Sequence, residues 1–182
     1  SFAIPFTGGP SMPFDMIARA TEQEPALLPK SADQLRQQFD LGLSAMRFSG
    51  GRPIAHATLW HLAEGWYELG TVWVAREYRG HDLSAELYRD LFRDHPERNI
   101  LATTTNPASL RIGIHVGLRC VPFSALPAVV WRETCCCPAE KTGTADNVAS
   151  CVLRQKRCFV RVTEETWQRL GRPAEMDFRA NL

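Results

Sequence analysis

No apolar run in this chain approaches the length of a membrane span. Nothing near Ser1 has the basic-then-apolar order of a secretory signal. Charge of one sign is missing too: 21 Lys and Arg stand against 20 Asp and Glu, a formal net charge of +1. That balance excludes a field able to gather nucleic acid non-specifically, though not a local basic patch. No nucleic-acid or membrane partner is expected. The sequence has no internal repeat and no interdomain linker, so residues 1–182 read as one domain. It also lacks a Cys-x-x-Cys pair. Its six cysteines (Cys120, Cys135, Cys136, Cys137, Cys151 and Cys158) are unevenly placed, unlike a small secreted disulfide scaffold. Reduced thiols in a cytoplasm are expected, as buried and surface groups. Three consecutive cysteines cannot easily all ligate one tetrahedral ion, so no metal is assigned.

What is present is ordinary for a globular chain: 45% hydrophobic residues and 23% charged ones, over a length able to bury a full core. Residues 1–13 hold three prolines and the pair Gly8-Gly9, and read as an irregular arm that packs through Phe2, Ile4 and Phe6 or frays. Phe14 to Ala20 alternates well enough for a first strand. Ser31 to Gln34 is a Ser-x-x-Gln capping box opening a helix to about Asp40, with Leu35 and Phe39 on one face. A meander follows: Leu43–Phe48, a turn at Gly50-Gly51, Pro53–Leu62, a turn at Ala63-Glu64-Gly65, and Trp66–Ala75.

From Asp82 to Asp94 the period changes, with Leu83, Leu87 and Leu91 recurring every four residues beside Tyr88 and Phe92. That is an amphipathic helix. Asn99–Thr104 returns to strand. Asn106-Pro107 starts a helix with Leu110 and Ile114 inward and Gly117 as its left-handed stop. Cys120–Trp131 reads as a long apolar strand, bent or at an edge because of Pro122 and Pro127. Residues 132–155 read as an irregular insert. Cys158–Val162 is a last strand, Thr163 caps a short helix to about Gly171, and the tail is loose. The pattern predicts an α/β sandwich on a mixed sheet.

The chemistry concentrates where the third meander strand, Thr71-Val72-Trp73-Val74-Ala75, runs into Arg76-Glu77-Tyr78-Arg79-Gly80-His81-Asp82-Leu83-Ser84. A Gly-containing turn that opens a helix can hold phosphate oxygens on unpaired backbone N–H groups, helped by the helix dipole. Arg79 adds a cation. The same residues also read as an ordinary helix capped by Asp82.

Val72-Trp73-Val74 followed by Glu77-Tyr78-Arg79-Gly80 is one motif, and the Asn106-led helix through Ser109 and Leu110 to Gly117-Leu118 is a second. Together, from Glu68 to Leu118, they resemble the GNAT superfamily of acyl-CoA-dependent N-acetyltransferases. The resemblance implies a mixed, mostly antiparallel central sheet flanked by helices, with acetyl-CoA as cosubstrate. It implies that Val72, Trp73 and Val74 lie along the pantetheine arm. It places Arg79, Gly80, His81, Asp82, Leu83 and Ser84 around the pyrophosphate, and Asn106 against the cofactor arm. Two positions depart from the family pattern: Asp82 stands where it has glycine, and Ser84 where it has glycine or alanine. A carboxylate beside two phosphates is costly unless it points away.

Amine acetylation needs a neutral amine, a polarised carbonyl and an acid for the leaving thiolate. Glu68 matches a position where several family members place a general base, and equally reads as a solvated strand residue. The family's usual acid, a tyrosine seven residues after the asparagine, falls at Gly113. Ser109, His115, Tyr78 and Tyr88 are the nearby alternatives, with Tyr88 better suited to packing. His56, His61 and His81 read as partly exposed polar residues. The expected activity is acetyl transfer to an amine, on a small molecule or a protein. A domain binding CoA or a protein partner without catalysis stays open, as do another acyl donor and a homodimer.

Overall fold

In the computed structural model, residues 12–24, 27–104, 106–134 and 157–176 are described. Six strands form one mixed sheet in the order β1-β2-β3-β4-β6-β5, with helices flanking it. The strands are β1 (Ser44–Ser49), β2 (Arg52–Ala63), β3 (Trp66–Val74), β4 (Asn99–Thr104), β5 (Arg119–Val121) and β6 (Arg157–Arg161). The pairs β1/β2, β4/β6 and β5/β6 are antiparallel, and β3/β4 is parallel. Two compact units divide the chain: Ser1–Trp60 with Leu69–Asp94, and His61–Glu68 with His95–Leu182.

The first unit opens with helix α1 (Met12–Glu22), where a strand is predicted from Phe14 to Ala20. The alternation of Phe14, Met16 and Ala18 is incidental. Phe14, Ile17, Ala18 and Thr21 follow helical spacing, and all four are buried. Helix α2 (Ala32–Asp40) begins at the capping box: Gln34 N–H donates to Ser31 Oγ at 3.2 Å, and Ser31 N–H to Gln34 Oε1 at 2.9 Å. Phe14, Ile17, Ala18 and Leu35 form a core to which Met46, Trp60 and Trp73 add. Full burial of Ile17 and Leu35 stabilises by roughly 2 kcal/mol each. Phe39 stays 45% exposed, its ring 5.6 Å from that of Phe14. Helix α3 (Leu83–Asp94) buries Ala85, Leu87, Tyr88, Leu91 and Phe92. Arg47 of β1 ties to it through Glu86 at 3.2 Å and Asp90 at 2.6 Å.

In the second unit, Trp66, Leu101, Val121, Leu126, Val130, Cys158, Val160 and Trp167 make the core. Helix α4 (Pro107–His115) is capped by Asn106, whose Oδ1 accepts from Ala108 N–H at 2.9 Å. It stops at Gly117, φ 92°, where Leu118 N–H donates to Gly113 O and Gly117 N–H to Ile114 O. This paired closure requires a left-handed residue. The long strand predicted over Cys120–Trp131 is instead the short β5, a 3-10 turn at Phe123–Ala125, and helix α5 (Ala128–Thr134). Pro122 has no N–H to continue the ladder past Val121, and Pro127 precedes a helical start. Helix α6 (Glu164–Arg169) is capped by Thr163 as predicted. After it, Met176 N–H donates to Cys120 O at 2.9 Å, so residues 172–176 return to β5 where a loose tail is expected, and residues 177–182 lie outside the described residues.

Residues 1–11 of the expected arm and residues 135–155 of the expected insert, with Cys135, Cys136, Cys137 and Cys151, lie outside the described residues, while Met12 and Pro13 open α1. Residues 132–134 belong to α5. Cys120 and Cys158 are buried, and Cys120 Sγ donates to Cys158 O at 3.0 Å.

Candidate cofactor site

Within the first unit, β3 carries Val72, Trp73 and Val74, all half-buried. Just before them stands Thr71, buried, with φ 47°. A β-branched residue in left-handed backbone is a true outlier, costing on the order of 1–3 kcal/mol, and it persists only where its surroundings hold it. Here they do. His56 Nδ1 lies 3.0 Å from the Thr71 carbonyl oxygen, and Trp60 Nε1–H donates to Thr71 Oγ1 at 3.1 Å. His56 Nε2 lies 2.9 Å from Thr58 Oγ1, which lies 2.7 Å from Ser44 Oγ. His56 is fully buried, and that desolvation pushes its pKa down to about 4.

The turn after the strand is built from a 3-10 turn at Arg76–Tyr78 and two left-handed residues, Gly80 at φ 86° and Asp82 at φ 55°. Tyr78 OH donates to Ser49 Oγ at 3.0 Å. Position 82 therefore needs the conformation that glycine adopts most freely, and aspartate is among the few other residues that tolerate it. Asp82 O accepts from Glu86 N–H at 3.0 Å, closing the first helical bond of α3. Its left-handed backbone is not the extended one from which a capping side chain reaches back to the helix, so the simple capped-helix reading loses its geometry. The N–H groups of Leu83, Ser84 and Ala85 precede that first bond.

Gly80, His81 and Asp82 are exposed, and Leu83 and Ser84 half-buried. Arg79 is exposed, but its guanidinium is engaged: Nε–H donates to Val74 O at 3.0 Å, and Nη2 pairs with Glu24. The turn is thereby tied back to the end of β3, and the Arg79 charge is matched by Glu24.

In the second unit, Glu68 is half-buried on β3, in register with Leu101 of β4. The parallel pairing runs Trp66↔Asn99, Tyr67↔Ile100 and Glu68↔Leu101. Asn106 is exposed, and its N–H donates to Thr104 Oγ1 at 3.0 Å. Gly113 is buried, and a Cβ there would stand 3.3 Å from Leu118 Cδ1 and 3.7 Å from the Phe159 ring. The position of the expected acid is filled by core. Ser109 is half-buried and His115 exposed. Tyr88 is buried, its ionisation pushed well above the ordinary value by desolvation, so it packs rather than trades protons. His61 and His81 are exposed, whereas His56 is the reverse of the partly exposed residue expected. Its signal was there in Ala55-His56-Ala57-Thr58-Leu59, a run too small and apolar to face water on either side.

A mixed sheet with one strand entering a left-handed turn and a helix N-terminus, flanked by helices, defines the class: an α/β protein. The family model of the acetyltransferase (GNAT) family matches residues 14–112, and the chain belongs to that family. A search of curated proteins gave no match. Among solved structures, a Mycobacterium tuberculosis protein in complex with CoA is 16% identical, at TM-score 0.60, over 84% of this chain and 95% of that one. The N-acetylglutamate synthase of Neisseria gonorrhoeae, complexed with coenzyme A and N-acetyl-glutamate, is 17% identical at TM-score 0.57. That match covers 88% of this chain and spans 35% of the synthase. Diaminobutyrate acetyltransferase from Paenibacillus lautus is 13% identical at TM-score 0.51, over 64% of this chain and 81% of that one. These likenesses establish the fold.

Proposed function

We propose that this chain, residues 1–182 as one domain, is a cytoplasmic enzyme that transfers an acetyl group from acetyl-CoA to an amine. The carrying observation is the turn itself: Asp82 keeps the left-handed backbone at a position where the family has glycine. The shape that presents the N–H groups of α3 to a pyrophosphate survives the loss of the glycine. Solved relatives of the same fold carry CoA, which supports the choice of cosubstrate. Val72, Trp73 and Val74 lie along the pantetheine, and residues 79–84 take the phosphates. Asn106, with Oδ1 spent on its own helix, offers its amide nitrogen to the cofactor arm.

Glu68 takes a proton from the acceptor ammonium. The freed amine attacks the thioester carbonyl, the C–N bond forms as the C–S bond breaks, and the sulfur leaves as thiolate. With Gly113 in place of the tyrosine, water protonates that thiolate, and the hydroxide so formed takes the second proton from the new amide nitrogen. The acceptor is a small-molecule or protein amine. Glu68→Gln is expected to lower kcat about 10²- to 10³-fold at neutral pH, with the KM for acetyl-CoA within about threefold of wild type. The assay is CoA thiol release across an amine panel. Full turnover in the variant would remove Glu68 from the mechanism.

One observation favours a second reading, binding without catalysis: the core-filled site at Gly113. Its signature is saturable acetyl-CoA binding with no thiol release from any amine tested.

A further inference from the structure

We propose that His56 is a positioning residue for the cofactor strand. Through its Nδ1–H bond to the Thr71 carbonyl, it holds the left-handed residue that sets the course of Val72, Trp73 and Val74. The inference rests on the reading of those three residues as the cofactor-pairing stretch.

The direction of every bond in the network follows from one fact. A carbonyl oxygen only accepts, so His56 Nδ1 carries the proton at the 3.0 Å contact with Thr71 O. In the neutral ring Nε2 is then an acceptor, and Thr58 O–H donates to it at 2.9 Å. Thr58 Oγ1 in turn accepts from Ser44 O–H at 2.7 Å. The Thr71 carbonyl thus selects the tautomer, and two hydroxyls on neighbouring strands satisfy the other ring nitrogen in that tautomer. A left-handed residue inside a strand turns its carbonyl off the ladder direction, and a buried carbonyl needs a partner. The imidazole supplies it.

The side chain of the same residue is held by Trp60. Its indole donates to Thr71 Oγ1 at 3.1 Å and lies so close to Gly70 that a Cβ there would stand 3.0 Å from Trp60 Cδ1. Residues 70 and 71 are gripped by two side chains of one neighbouring strand. A leucine at 56 would fill the same place without burying polar nitrogens, which are costly unless bonded. What the histidine adds is one donor at one carbonyl, next to the stretch that matters.

The test uses the full chain with acetyl-CoA as probe. The dissociation constant is measured by titration calorimetry, and amide hydrogen exchange is read at Val72, Trp73 and Val74. His56→Asn keeps a donor close to the Nδ1 position. His56→Gln carries its amide toward the Nε2 position and leaves the Thr71 carbonyl unmet. We expect H56N within about threefold of wild type, and H56Q weaker by tenfold or more with faster exchange at all three amides. In the double variant H56Q/T71G, glycine takes the left-handed backbone unaided. Most of the lost affinity returns. Wild-type affinity in H56Q overturns the proposal, as do equal losses in H56N and H56Q or a further loss in the double variant. If H56Q does not fold, H56Q/T71G is compared with Thr71→Gly alone: matching affinities support the proposal, and a tenfold gap overturns it. A wild-type chain that takes up no acetyl-CoA overturns the acetyltransferase reading and this proposal together. Failure of this proposal alone shows only in the variants.

Discussion

Asp82 and His56 are each intelligible only through the backbone they serve. Asp82 occupies left-handed backbone where glycine would be unstrained. In Asp82→Gly, relief of that strain and the entropy of the more flexible unfolded chain offset one another, so stability should stay within about 1 kcal/mol of wild type. Acetyl-CoA binding should tighten about three- to tenfold as a carboxylate leaves the phosphates. Denaturant midpoints and calorimetry check the pair, and unchanged affinity would mean that the carboxylate points away. His56 makes a different prediction. Burial lowers its folded pKa to about 4, below the ordinary 6.5 of the unfolded chain. Above pH 6.5 both states are neutral and its contribution is complete. As pH falls from there toward 4, only the unfolded state takes up the proton, so stability is lost, by roughly 3 kcal/mol in full, and levels off below about 4. Unfolding free energies of wild type minus H56N across that window should show the slope, and its absence would mean the ring is solvated.

At the scale of elements, local signals were legible wherever the chain decides by itself. The capping box at Ser31, the Asn106-Pro107 start and the Gly117 stop all depend on contacts within a few residues, and all stand as read. Ser31→Ala should cost about 1 kcal/mol, measured as a shift in the denaturant midpoint with unchanged slope. No shift would show that α2 is held by Leu35 packing alone. Where two periods fit one stretch, sequence was a poor guide. Phe14 to Ala20 satisfies both alternation and helical spacing, and burial of Ile17 against Leu35 chooses the helix. Cys120 to Trp131 is apolar enough for a strand, but the second proline begins a helix whose Val130 fills the second unit's core.

For the whole molecule, the family membership makes ligand-linked stability the broadest check. At acetyl-CoA concentrations of about 100 times the dissociation constant, unfolding should be opposed by roughly 2.7 kcal/mol, seen as a rise in Tm. No rise would leave the fold intact and remove the cosubstrate. The mixed α/β architecture was legible in sequence apart from residues 14–20 and 120–131, because alternation, helical spacing and caps are written in neighbouring residues. Also readable from sequence, as candidates, were the strand residues Val72, Trp73 and Val74, the turn at residues 76–84, and Glu68 as base. Four things only the tertiary structure decided. Gly113 faces packed core rather than a cleft, Arg79 is held by Glu24, Asp82 carries glycine's backbone, and His56 is a buried donor to a strained strand. Each depends on residues distant in sequence or on a dihedral angle. Neither is encoded in the identity of the residue alone.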